Sequence, residues 1–578
     1  MKVIIIGYGM AGSRLAAELR AREADVKVTV LGAEPHRAYN RIMLSNLLAG
    51  KIGEADVEIT EAAGHGVDVR PGAAVVAIDR AARTVTTACG EVLPYDHLVL
   101  ATGGTAIIPP IPGLAGSGSM GAGHPDPTDT GRPGADSGGL PERVAVFRTL
   151  DDCRRILAVA ERARTAIVLG GGLLGLEAAR GLTARGLSVR VVHAVDRLMN
   201  RQIDAGASGV LTRTLADLGI ECVLDASTVA VESGPDQVTV RLGDGRALIT
   251  DLLVLACGVR AETGLARGAG LDVGRGVLVD DAMRTSDPHV SAIGDCAEHD
   301  GVTGGLVAPA WEQARVVAAR LTGDDPDAVY RPPAVVTRLK AAGIDLAAMG
   351  LLPGLGMPAG AALAAGTGVT AGTGGGAGTG GAAGTETAAG TETAAGTETA
   401  AGTGTGAGTG AGAGTEAAAG TGTGVGTGGA AGTGRIEELT FSDPARGTYA
   451  RLVIDGDRLA GAIMLGDNPA IGTVIQLFDR GTPVPGDRRA LLLGRALGAA
   501  PVTVAESPAL MPDAATVCQC NNVSKGALVR CWRAGARSTG DVVAATRATT
   551  GCGTCTDAVR GIVDWLSAVD APASEVVA

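Results

Sequence analysis

Lys2-Val-Ile-Ile-Ile6, then Gly7-Tyr-Gly9-Met-Ala-Gly12, then Ser13 to Arg22 at helical composition: this opening stretch decides the fold. The β-branched run is what a strand buried on both faces requires. The glycines fall where strand turns into helix. There the first permits a tight turn, the second lets a pyrophosphate reach the backbone, and the third lets helix pack on strand. A second run, Val26-Lys-Val-Thr-Val-Leu31, ends near Glu34, placed roughly 20 residues past the loop, where an acid can hold a ribose hydroxyl pair. Strand, loop, helix, strand and acid together predict a dinucleotide site.

The pattern returns at Ala166-Ile-Val-Leu169, Gly170-Gly-Gly172-Leu-Leu-Gly175 and Leu176-Glu177, which opens a helix. Its second strand, Ser188-Val-Arg-Val-Val192, ends in His193 instead of an acid. Acids at this point favour NADH and a nearby arginine favours NADPH. Arg190 and Arg197 are near without being clearly placed, so the choice stays open. We read His193 as a strand-end residue and not a base. Two further segments close the first site. Tyr95 to Gly103 reads as a strand ending in the small turn Ala101-Thr102-Gly103, and Thr285 to Asp295 reads as a lead-in to a buried strand ending Ala292-Ile-Gly294-Asp295.

At the far end stand Cys518-Gln-Cys520 and Cys552-Gly-Thr-Cys555. The segments after them predict three helices: Ser524 to Trp532, Asp541 to Thr546 and Thr556 to Leu566. Each cysteine pair is expected at a helix N-terminus, where backbone N–H groups and the dipole favour thiolate. Four such cysteines suit zinc or a [2Fe–2S] cluster. The remaining six of the ten cysteines (Cys89, Cys153, Cys222, Cys257, Cys296 and Cys531) lack ligand spacing, and we read them as small buried hydrophobes.

The chain has 578 residues, 49 basic and 61 acidic, for a net charge of −12. That balance argues against nucleic acid or an anionic membrane as partner. No apolar run reaches the roughly 18 residues of a membrane helix, and the first apolar stretch is too short for a signal peptide. Cytoplasmic localisation is the expectation. Residues 115–140 are rich in Gly, Pro and Asp and predict a surface insertion. Residues 354–434 are nearly all Gly, Ala and Thr, with Gly-Thr-Glu-Thr-Ala-Ala repeated three times from Gly384. Such a tract buries too little apolar surface to fold, and a host domain tolerates it because loop-closure entropy grows slowly with length. On either side we expect strands at 335–340, 343–349 and 448–465 and a helix at 470–478.

The two loops with their closing segments resemble the two-dinucleotide flavoprotein reductases with the glutathione-reductase-like fold. This resemblance implies FAD on Gly7, Gly9, Gly12 and Glu34, closed by Ala101, Thr102, Gly103, Gly294 and Asp295. It places Asp295 at the ribityl chain and NAD(P)H on Gly170, Gly172, Gly175 and Glu177. The fold class is α/β: an FAD-binding domain in two parts (1–114 and 262–325), an NAD(P)-binding domain (141–261), a C-terminal α/β domain (330–485) and a small helical module (515–570). No cysteine precedes Cys89, so the redox dithiol of the disulfide reductases is missing and electrons are expected to leave the flavin outward.

One C-x-C with one C-x2-C among short helices resembles the bacterioferritin-associated-ferredoxin-like [2Fe–2S] domain, which implies Cys518, Cys520, Cys552 and Cys555 as cluster ligands. The segments Glu34-Pro-His-Arg-Ala-Tyr39-Asn40-Arg41-Ile-Met-Leu-Ser45 and Leu198 to Asp204 resemble the NAD(P)H nitrite reductase large subunit family, which puts Arg41 near the flavin. Full-length members continue into a sirohaem–[4Fe–4S] domain bound by further cysteines, whose spacing is not found before Ala578. The expectation is therefore a chain that does not itself reduce nitrite, similar to the electron-transfer subunits of assimilatory nitrate reductase. It would serve a separate molybdenum nitrate reductase subunit, or alternatively a sirohaem nitrite reductase or a rubredoxin- or ferredoxin-type carrier. A non-enzymatic redox sensor is the third reading. No side chain is assigned as acid or base, because the cofactor carries the chemistry.

Overall fold

The computed structural model describes the chain apart from residues 23–24, 60–65, 115–138, 334, 342, 351, 353–435, 469, 494–507, 514, 519–522, 550–554 and 571–578. The insertion read at 354–434 lies outside the described residues, and so does the one at 115–140 except for Gly139 and Leu140.

Lys2–Ile6 is the centre of a five-stranded parallel sheet in the order Val290–Ala292, His97–Leu100, Lys2–Ile6, Lys27–Leu31, Val67–Arg70. Val3 and Ile5 are fully buried, as a strand covered on both faces requires. Each such side chain contributes about 1.5–3 kcal/mol by leaving water. The helix Met10–Ala21 packs Leu15, Ala16 and Leu19 into this core, where Ala314, Val317 and Ala318 of the helix Val307–Thr322 join it.

A second parallel sheet repeats the plan in the order Ile220–Val223, Ser188–Val192, Thr165–Leu169, Leu252–Leu255, Val144–Val146. In both sheets the strand order reverses at the strand that feeds the glycine loop, which is where open α/β sheets bind ligands.

The C-terminal sheet is antiparallel: Val336–Ala341, Ile344–Gly350, Arg458–Leu465, Thr448–Asp455, Ile436–Asp443. The expected strand–turn–strand is present, with Gly456 at φ +63° in its turn, and the helix Ile471–Arg480 packs on the sheet. The last module pairs Thr516–Cys518 with Val523–Ser524, followed by the helices Lys525–Arg533, Thr539–Thr546 and Thr556–Asp570. Ser524 and Ser538 cap the first two through their side chains.

Two expectations need correction. Cys518 does not sit at a helix start: it ends a short strand opposite Val523, and the helix begins only at Lys525. The backbone pairing with Val523–Ser524 engages this segment before the helix begins. Cys89 is exposed, in the turn that follows the strand Thr84–Thr87. By contrast, Cys153 and Cys296 are fully buried, while Cys222, Cys257 and Cys531 are only partly so; burial pushes the Cys153 thiol up to about 12 and those of Cys222 and Cys257 up to about 11.

Candidate flavin and cluster site

The two glycine loops are built alike, atom for atom. Gly7 has φ +115° and Gly170 φ +122°. A Cβ on Gly7 would lie 2.1 Å from the Ala101 carbonyl oxygen, and one on Gly170 would lie 2.3 Å from that of Ala256. A Cβ on Gly12 would meet the Gly7 oxygen at 2.0 Å, and one on Gly175 the Gly170 oxygen at 1.9 Å. Gly9 and Gly172 differ: a Cβ there would meet nothing within 4 Å. Their space is open and lies at the N-terminus of a helix, Met10–Ala21 in one case and Leu173–Ala184 in the other. First and third glycines are thus required by the protein's own packing, and the second leaves room for a ligand.

The segments expected to close the first site do reach it. Ala101, Thr102, Gly103, Gly294 and Asp295 line one cavity with Gly7 and Gly9. Thr102 donates its hydroxyl to the Glu262 carbonyl at 2.9 Å, and the Gly294 N–H donates to Gln313 Oε1 at 2.7 Å. The Asp295 carboxylate pairs with Arg148 at 2.7 Å. Nothing in the local sequence singled out Arg148; only the fold brings it to Asp295.

Glu34 lines the same cavity, and its carboxylate is engaged. It accepts the Tyr39 hydroxyl at 2.6 Å and pairs with the Arg41 guanidinium, which also stacks on the Tyr39 ring at 5.1 Å. Burial, with Glu34 beside it, drives the Tyr39 hydroxyl well above its ordinary pKa. Arg41 also donates to the Arg148 carbonyl at 3.3 Å, which links this cluster to the Asp295 pair.

The cavity measures about 1640 Å³ and extends in two directions. Toward the second sheet it reaches Leu173, Leu174 and Glu177 on the helix that follows the second loop. Gly12, Gly170, Gly172 and Gly175 are not among its described lining residues. Toward the last module it reaches Val517, Cys518, Cys555 and Ala558. Cys518 is 2 % exposed and Cys555 7 % exposed, and both belong to one small core with Leu528, Trp532 and Val559. Cys555 directly precedes the helix Thr556–Asp570. Cys520 and Cys552 lie outside the described residues. Two thiols from distant parts of the module, buried in one core and lining one cavity, fit a sulfur-bound cluster.

His193 accepts a hydrogen bond on Nδ1 from the Gly171 N–H at 3.1 Å, and burial lowers its pKa. It shapes the loop from beneath. Asp204, from the Leu198–Asp204 segment, caps the helix Ala205–Asp217 and accepts from Tyr449 at 2.8 Å and Arg451 at 3.0 Å, tying the second sheet's domain to the C-terminal sheet. Among the described residues, no helix is long and apolar enough to cross a membrane.

Two dinucleotide loops on two parallel sheets, with one cavity that runs from the first loop past the helix of the second to buried cysteines, define a flavin-dependent nicotinamide reductase with an attached cluster module. The chain belongs to the pyridine nucleotide-disulphide oxidoreductase family, whose model matches residues 1–316. The BFD-like [2Fe-2S] binding domain matches residues 516–565, and the rubredoxin NAD+ reductase C-terminal domain matches residues 423–481. Its cofactors are FAD, NAD(P)H and a [2Fe–2S] cluster.

Among curated relatives it is similar to the nitrite reductase [NAD(P)H] of Bacillus subtilis, at 29 % identity over 99 % of this chain and 58 % of that one. It is also similar to the assimilatory nitrate reductase electron transfer subunit of the same organism, at 28 % identity over 98 % of this chain and 60 % of that one. The chain thus spans about three-fifths of the length of these relatives. Among solved structures, the covalent putidaredoxin reductase–putidaredoxin complex matches at a TM-score of 0.59 and 23 % identity, over 85 % of this chain and 95 % of that one, which shows the fold.

Proposed function

We propose that the chain oxidises NAD(P)H and delivers electrons one at a time, through its cluster module, to a separate molybdenum nitrate reductase catalytic subunit. A single observation carries this reading: the cavity that begins at Gly7 and Gly9 ends at Cys518 and Cys555. When bound, FAD accepts two electrons as hydride and the [2Fe–2S] cluster passes them on singly.

The chain's own residues bind and orient. Gly9 and Gly172 leave the backbone approachable at two helix N-termini, where N–H groups and dipole favour phosphate. Glu34, Tyr39 and Arg41 form a preassembled polar wall, and Asp295 is held by Arg148. Cys518, Cys520, Cys552 and Cys555 hold the cluster, Cys518 and Cys555 doing so away from bulk water. No side chain need act as acid or base. NAD(P)H gives NAD(P)+, a proton and two electrons, the number that nitrate needs to become nitrite. We place the protein in the cytoplasm, where thiols stay reduced.

The similarity of residues 423–481 to the rubredoxin NAD+ reductase C-terminal domain favours a rubredoxin-type carrier as second reading. Reconstitution separates them. The cluster-loaded protein is mixed with NADH or NADPH and either a molybdenum nitrate reductase subunit or a rubredoxin. Nicotinamide-dependent nitrite formation with the first supports the proposal. Fast reduction of rubredoxin with no nitrite formed replaces it with the second reading.

A further inference from the structure

Among the described residues, the cluster module touches the first dinucleotide domain through Arg547 and at Ile42. Arg547, at the end of the helix Thr539–Thr546, donates from Nη1 to the Glu58 carbonyl at 2.7 Å, and its Nη2 lies 3.9 Å from Asp56. Glu58 stands opposite Tyr39 in a short antiparallel pairing, closed by Asn40 N–H to the Val57 carbonyl at 2.7 Å and Ile59 N–H to the Ala38 carbonyl at 2.8 Å. The strand that Arg547 grips is therefore paired with the segment that carries Tyr39 and leads into Arg41. From the other side Ile42, next to Arg41, packs against the core that contains Cys518 and Cys555.

Arg547 itself has φ +60°, the left-handed position at a helix end where glycine is preferred. A long side chain kept at this conformational cost points to a role for the side chain.

We propose that Arg547 is a positioning residue: it clamps the cluster module to the Ala38–Ile59 pairing and so fixes the cluster's place relative to the flavin wall. The clamp sets how fast electrons cross from cavity to cluster and leaves hydride uptake untouched. It rests on the electron path proposed above.

Arg547→Gly tests it, since glycine suits the backbone at this position while the side chain that carries the guanidinium is removed. Two quantities are read on the cluster-loaded full chain. One is anaerobic stopped-flow mixing with NAD(P)H, following flavin bleaching and cluster reduction separately. The other is amide hydrogen exchange at Asn40 and Ile59. The expected result is unchanged flavin bleaching, cluster reduction slowed on the order of tenfold, matching one lost hydrogen bond from a charged donor, and faster exchange at both amides. Arg547→Lys restores part of each. Unchanged cluster reduction with unchanged exchange overturns the clamp, and so does equal slowing of both optical phases. If the unaltered protein never reduces its cluster, the electron path fails, and the exchange measurement still decides the clamp.

Discussion

The Arg148 guanidinium lies 2.7 Å from the Asp295 carboxylate, and each side chain is only about one-fifth exposed. Asp295 ends the strand-and-turn segment of the first sheet, and Arg148 precedes the helix Leu150–Ala160 that covers the second. The pair therefore spans the two halves at the cavity wall. Asp295→Asn should cost about 1–3 kcal/mol by leaving a part-buried charge without its counter-ion. A double-mutant cycle with Arg148→Met, read by thermal melting of the flavin-free protein, should give losses that are less than additive. Additive losses would show that the two side chains act separately.

Gly9 and Gly12 should part company on substitution. Gly9 has an ordinary extended backbone (φ −85°) and open space, so Gly9→Ala should fold normally and lose FAD affinity. Gly12→Ala drives a methyl into the Gly7 carbonyl and should destabilise the domain by about 1–3 kcal/mol or more. Melting temperature and FAD content, measured together, check both. Normal FAD content in Gly9→Ala would remove the ligand from this loop.

His97, on the strand His97–Leu100, is 8 % exposed and bonds Ser291 at 3.0 Å. Burial, helped by His289, lowers its pKa to about 4 from an ordinary 6.5. The folded state thus holds fewer protons than the unfolded state between these values. The contribution to stability is complete above pH 6.5 and is lost as pH falls toward 4, with a limit of about 3 kcal/mol. His97→Gln should flatten this acid limb. Melting curves from pH 7 to pH 5 that keep the same slope in the variant would contradict it.

Cys518→Ser and Cys555→Ser should each abolish the cluster's visible and EPR signals. FAD content and nicotinamide-driven dye reduction should persist, because neither cysteine belongs to the two parallel sheets. Retention of an intact cluster in either variant would remove that residue from the ligand set.

The dinucleotide architecture was legible because its constraint is local and repeated. A β-branched run and glycines at fixed spacing must precede a helix, and Gly7–Gly12 and Gly170–Gly175 obey the same atomic rule. Likewise, Ser524 announced its helix through capping chemistry, whereas the cap at Ser538, ahead of the helix read from Asp541, emerged only in the structure. Arg148, Arg547 and the Asp204–Tyr449 contact were not legible, since each joins segments far apart in sequence and carries no local pattern. Cys518 shows the opposite limit: proximity to a helix in sequence suggested a helix N-terminus, whereas a strand pairing with Val523 claimed the residue first. The nicotinamide preference stayed open because the second strand ends in His193 instead of an acid and neither Arg190 nor Arg197 is clearly placed.

The central claim is one path from nicotinamide to cluster through the cavity that joins Gly9 to Cys518 and Cys555. Anaerobic titration of the purified holoprotein with NADH and NADPH, followed by visible absorption and EPR, tests it most directly. The account predicts flavin bleaching together with a one-electron [2Fe–2S] signal that grows with added nicotinamide. Flavin bleaching beside an EPR-silent, zinc-loaded cysteine site would contradict it.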